Sequence, residues 1–178
     1  PLHLRRWSSR GRAHGTVLLV HGLGEHIGRY EALAERLNAE QWHVAGYDQR
    51  GHGASGGPRG VIPAADSLLQ DLSAAIDALR SEPPTPLLLL GHSMGGLVAR
   101  EACAIASSGP SAWLPRLTML IGLGSPNQGA PLEQLGQLTA TALSVSDITR
   151  PLGRIGDGRS RGIKDLRHGL KRPTARQP

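Results

Sequence analysis

Phenylalanine is absent from this 178-residue chain, and three Trp and two Tyr are its only aromatic residues. Leu and Ala therefore supply most of the apolar side chains. A single cysteine, Cys103, excludes an intrachain disulfide, leaves the redox compartment undetermined and reads as a small core residue within a helix. No apolar run approaches the length of a membrane span, and no signal-peptide core stands at the N-terminus, so a cytoplasmic location is expected. The length suits one domain with a core of its own.

The formal charge of +6 is unevenly spread. Residues 150–178 hold nine of the 20 Lys and Arg but only two of the 14 Asp and Glu, leaving 11 bases against 12 acids in residues 1–149. The basic stretch has no aromatic residue on which a base could stack, so no nucleic-acid partner is expected. It reads as a solvated segment, with weak contact to a membrane surface as the alternative. Residues 1–149 read as the folded core, with 130–149 cap-like, and 150–178 as a separate Gly/Arg-rich segment.

Short apolar runs alternate with amphipathic ones. Leu2–Trp7, Thr16–Val20, Trp42–Tyr47, Leu87–Leu90 and Leu117–Ile121 read as strands. Helical spacing marks Arg29–Glu40 and Asp66–Leu79, the second with Asp66 as its N-cap. Strands alternating with helices predict an α/β fold, a mostly parallel sheet with flanking helices.

The chain is organised around Gly91-His92-Ser93-Met94-Gly95, which follows a leucine strand and opens a helix. A G-x-S-x-G turn in that setting lifts a serine hydroxyl clear of the sheet, and its glycines avoid crowding in a strained turn. A glycine-rich turn with an incidental serine is the alternative. Upstream, Thr16–Val20 runs into His21-Gly22-Leu23-Gly24, where hydrolases place half of an oxyanion hole. Leu23 and Met94 are accordingly the candidate backbone N–H donors. Asp48, Arg50 and His52 in the next glycine-rich loop read as a bracing network rather than as catalysts. No Gly-Lys-Ser/Thr follows that loop, which argues against phosphate binding.

Three motifs in order, His21 to Tyr30, Tyr47 to Ser55 and Gly91 to Gly96, resemble the monoacylglycerol lipase and lysophospholipase group of α/β-hydrolases over roughly residues 4–100. The resemblance implies Ser93 as nucleophile, oxyanion donors at Leu23 and Met94, and a fatty-acid ester as substrate. Residues 117–169, with Gly124-Ser125-Pro126-Asn127-Gln128-Gly129, are more similar to bacterial triacylglycerol and inositol-deacylating lipases. This change of resemblance is that expected of a recombinant or truncated chain, a minimal or truncated α/β-hydrolase fold.

After Ser93 the sequence holds one histidine, His168, and the acids Glu101, Glu133, Asp147, Asp157 and Asp165. The order Ser93, Asp147, His168 is that of α/β-hydrolase triads, and its spacing resembles that of the smallest bacterial lipases. The expected function is an esterase or lipase that works through an acyl-serine, with no cofactor and no metal, on a small acyl ester or monoglyceride. Thioesterase or peptidase activity on the same serine, or a catalytically impaired hydrolase fold serving as a scaffold, are the alternatives. Oligomeric state is left open.

Overall fold

The computed structural model describes residues 1–64, 66–79 and 86–127. Five strands form one sheet: β1 (His3–Trp7), β2 (Gly15–Val20), β3 (Trp42–Asp48), β4 (Leu87–His92) and β5 (Leu117–Leu123). Their order is β1-β3-β2-β4-β5. β1 runs antiparallel to β3, while β3, β2, β4 and β5 are mutually parallel. Three helices, α1 (Glu31–Ala39), α2 (Ser67–Ala78) and α3 (Met94–Ala106), lie among them in the chain. The mostly parallel sheet with flanking helices is thus observed.

Because both faces of the sheet are covered, its central strands read as unbroken apolar runs, yet their side chains still alternate between two cores. Leu18, Val20, Leu87 and Leu89 pack with Leu68, Leu72 and Ile76 of α2 and with Val98 and Ala99 of α3. On the opposite face Val17, Leu19, Val44 and Leu90 pack with Trp7, with Ile27 and with Ala34 of α1. Leucine and alanine dominate the first core, while valine, leucine and isoleucine make up most of the second.

Three local details depart from the expectations. A short 3-10 helix, Ile27–Tyr30, precedes α1, so the regular helix starts at Glu31. Asp66 does occupy the N-cap position of α2, but its backbone is already helical and its side chain caps no backbone N–H. Its carboxylate accepts from the Gln70 side chain at 2.7 Å instead, one turn along. Cys103 is only partly buried against the α2/α3 core, and burial pushes its thiol pKa up. The expected cap-like stretch 130–149 and basic stretch 150–178 lie outside the described residues, as does most of the second resemblance.

Leu72 has no exposed surface, whereas Ile105 on α3 is 46% exposed. Leu72→Ala should therefore cost about 2–5 kcal/mol in urea unfolding, with Ile105→Ala within about 0.5 kcal/mol of the wild type.

Candidate active site

The parallel strands all end at the same edge of the sheet, so the loops after β2, β3, β4 and β5 gather there. The sharpest is the turn from β4 to α3. Ser93 adopts φ 51° and ψ −120°, a conformation that L-residues avoid, and apart from Gln41 it is the one described non-glycine residue with positive φ. Its own N–H donates to the Leu123 carbonyl at the end of β5, 2.8 Å away. Two glycines let this turn exist. A Cβ on Gly95 would lie 2.0 Å from the Val20 carbonyl oxygen, and one on Gly91 would lie 2.4 Å from the Gly96 Cα. Both obstacles are backbone, which cannot swing aside.

The loop after β2 passes directly beside this turn. A Cβ on Gly22 would approach the Ser93 Cβ to 3.1 Å and the His92 carbonyl oxygen to 3.3 Å. Leu23 packs against the core behind it, and Met94 is buried at the first position of α3. The N–H groups opening a helix have no intrahelical acceptor, and the one at Met94 is among them.

Glu25 knits the two loops together. Its Oε2 accepts from the Gly22 N–H at 3.0 Å, from the Tyr30 hydroxyl at 2.7 Å and from His92 Nδ1 at 3.1 Å. Burial works to raise the pKa of this carboxyl, but the Tyr30, Gly22 and His92 donors outweigh it and hold the group at about 2. Burial, then the bond to Glu25, pushes the Tyr30 phenol up in turn. Arg29 reaches Glu25 Oε1 at 3.2 Å, but that guanidinium is 61% exposed and adds little.

The loop after β3 supplies a second layer of support. Asp48 accepts from the Ile27 N–H at 2.7 Å and the Ala54 N–H at 2.8 Å. Arg50 forms a forked pair with Asp71 of α2, with its closest contact at 2.6 Å. The His52 ring meets the Arg50 carbonyl through Nδ1 at 3.0 Å and accepts the Gly24 N–H through Nε2 at 3.2 Å. His21 is fully buried, its Nδ1 2.7 Å from the Gly22 carbonyl oxygen and its Nε2 accepting from the Gln49 N–H at 2.9 Å. Burial lowers its pKa, so the ring is neutral at pH 7. Both rings thus have both nitrogens engaged in holding loops.

Of the residues singled out by the sequence, the structure brings Ser93, Met94 and the Gly22–Leu23 segment together. Asp147 and His168 lie outside the described residues. Sequence reasoning missed Glu25, Tyr30 and Gln49 as organisers of the site. The spacing Glu25, Arg29, Tyr30 carried a signal for the first two, whereas Gln49 acts through contacts that no local pattern announces. Among the described residues, no group of His, Cys, Asp and Glu gathers to hold a metal ion, and no helix is long and apolar enough to cross a membrane.

A family model described as serine aminopeptidase, S33, matches residues 11–120. The chain is 38% identical over 99 residues to the monoglyceride lipase of Homo sapiens, covering 55% of this chain and 33% of that protein. It is 37% identical over 114 residues to the monoacylglycerol lipase of Mycolicibacterium smegmatis, covering 59% and 41%. The chain thus spans about a third to two fifths of the length of these curated relatives. The solved structure of a soluble monoglyceride lipase variant from Saccharomyces cerevisiae superposes with a TM-score of 0.63 at 24% identity, over 81% of this chain and 47% of that one. That likeness is one of fold.

Two outcomes follow from the geometry. Gly95→Ala should destabilise the protein or leave it unfolded, seen as a lowered thermal midpoint, because the new methyl meets the Val20 carbonyl. Glu25 has its folded pKa depressed from 4.5 to about 2, so its contribution to stability is complete above about pH 4.5 and lost as pH falls toward about 2. Denaturation midpoints measured between pH 6 and pH 2 should fall less steeply in Glu25→Gln than in the wild type.

Proposed function

The chain belongs to the serine aminopeptidase (S33) family of hydrolases, and on that premise we propose that it carries the nucleophile and oxyanion site of a serine ester hydrolase acting on acyl esters such as monoglycerides. The observation that carries this reading is Ser93 itself: a serine held at φ 51° between β4 and α3, with the Gly22 backbone beside it. Strain of that kind persists only where surrounding structure imposes it, and it aims a side chain away from the sheet. The substrate class is supported by the activities for which the human and mycobacterial relatives are named.

In this reading His168 takes the proton from Ser93 Oγ as the oxygen attacks the acyl carbon, and Asp147 fixes the imidazole tautomer. The former carbonyl oxygen becomes an oxyanion held by the Leu23 and Met94 N–H groups. Collapse breaks the ester C–O bond, the imidazolium gives its proton to the departing alcohol, and water then releases the acid from the acyl-serine by the same steps. What supports His168 is its order in the chain, after Ser93 and Asp147 as in α/β-hydrolase triads, whereas His21 and His52 spend both ring nitrogens on loops. The reaction needs no metal or cofactor. The basic residues of 150–178 would give weak attraction to an anionic lipid surface.

The test is hydrolysis of p-nitrophenyl butyrate and octanoate. Ser93→Ala and His168→Ala should each lower kcat by about 10³-fold or more. An inert wild type would hand the case to the scaffold reading, and full activity in His168→Ala would overturn His168 as the base. The peptidase character of the matched family favours amide cleavage as a second reading. Turnover of aminoacyl p-nitroanilides faster than of the esters would establish it.

A further inference from the structure

Three successive backbone N–H groups leave the end of β2, and two of them are committed. The Gly22 N–H donates to Glu25 Oε2 and the Gly24 N–H to His52 Nε2. Among the described residues the Leu23 N–H between them has no acceptor. Where it points is decided by its peptide plane. No peptide bond among the described residues is cis, so the Gly22 carbonyl and the Leu23 N–H lie in one trans unit and face opposite ways. Whatever grips the Gly22 oxygen therefore aims the Leu23 hydrogen.

That grip is His21 Nδ1, at 2.7 Å. The tautomer follows from the other nitrogen. Nε2 lies 2.9 Å from the Gln49 N–H, a donor, so Nε2 must be the bare acceptor and the proton sits on Nδ1. The ring is fully buried and held at both nitrogens, which fixes its orientation. We propose that His21 is a positioning residue: its Nδ1–H bond to the Gly22 carbonyl directs the Leu23 N–H into the oxyanion site, and Gln49 maintains the tautomer that makes the bond. This rests on the hydrolase reading for its chemical consequence, though not for its geometry.

Two substitutions separate this role from simple core filling. In His21→Asn the amide nitrogen falls near the place of Nδ1 and keeps the donor to Gly22. In His21→Gln the amide falls near Nε2, so the contact with Gln49 survives and the donor to Gly22 is lost. With the full chain and p-nitrophenyl butyrate, His21→Gln should lose about 10²-fold in kcat with KM little changed, while His21→Asn stays within about threefold of wild type. Equal losses in the two variants, or the larger loss in His21→Asn, would overturn the proposal. A measurement free of activity and of folding defects is the ¹⁵N spectrum of the wild-type imidazole at pH 7. A protonated Nδ1 with a bare Nε2 on His21 is expected, and the opposite tautomer or a charged ring would overturn the assignment. If the wild type hydrolyses no ester, the hydrolase reading fails by itself. The ¹⁵N spectrum and the Leu23 amide resonance, expected to shift in His21→Gln but not in His21→Asn, still decide the role of His21.

Discussion

Contact between backbones, with no side chain in between, is the constraint on which this end of the molecule depends. The turn after β4 presses against the carbonyls closing β2, so closely that a single methyl on Gly95 would overlap the Val20 oxygen. The loop after β2 in turn passes beside Ser93 at Gly22. Atoms this close make the positions of two segments, about 70 residues apart in sequence, a single geometric fact. The parallel pairing of β2 with β4 from Thr16 and Leu87 to Val20 and Gly91 brings them there. Packing of α2 and α3 on one face and α1 on the other holds the strands in register.

Close approach alone would leave polar backbone groups unpaired, and the site meets that cost with side chains that bond to the main chain. Glu25, His21, His52 and Asp48 each accept or donate at backbone positions of neighbouring loops. These are residue types often sought as acids and bases. Here their strong polarity serves to orient peptides, and for two of them the surroundings also fix the charge: Glu25 remains ionised because three donors converge on it, and His21 remains neutral because it is buried. A histidine beside the serine of this turn is thus no sufficient ground for a catalytic role. His92 precedes Ser93 in the chain, yet its Nδ1 engages Glu25.

Much of this was legible in the residues themselves. β-branched and leucine runs marked β2, β4 and β5, and the spacing of Leu68, Leu72 and Ile76 marked α2, because burial on two faces and on one face leave different periods. Gly91 and Gly95 signalled the crowded turn, since a position that tolerates no Cβ must be glycine. The long-range partners were not legible. Nothing near Arg50 announces Asp71, and nothing near His21 announces Gln49, because those bonds exist only once β2, β3 and α2 are assembled. Asp66 shows the converse: a good capping residue at the right place whose carboxylate found the Gln70 amide a better partner.

The proposed chemistry turns on Ser93 being an activated nucleophile that faces two backbone donors. Stoichiometric labelling by an alkyl fluorophosphonate, followed by peptide mass spectrometry, tests it most directly. One adduct per chain is expected, on the peptide that contains Ser93, and none in Ser93→Ala. Absence of labelling in the wild type, or an adduct on another residue, would contradict it.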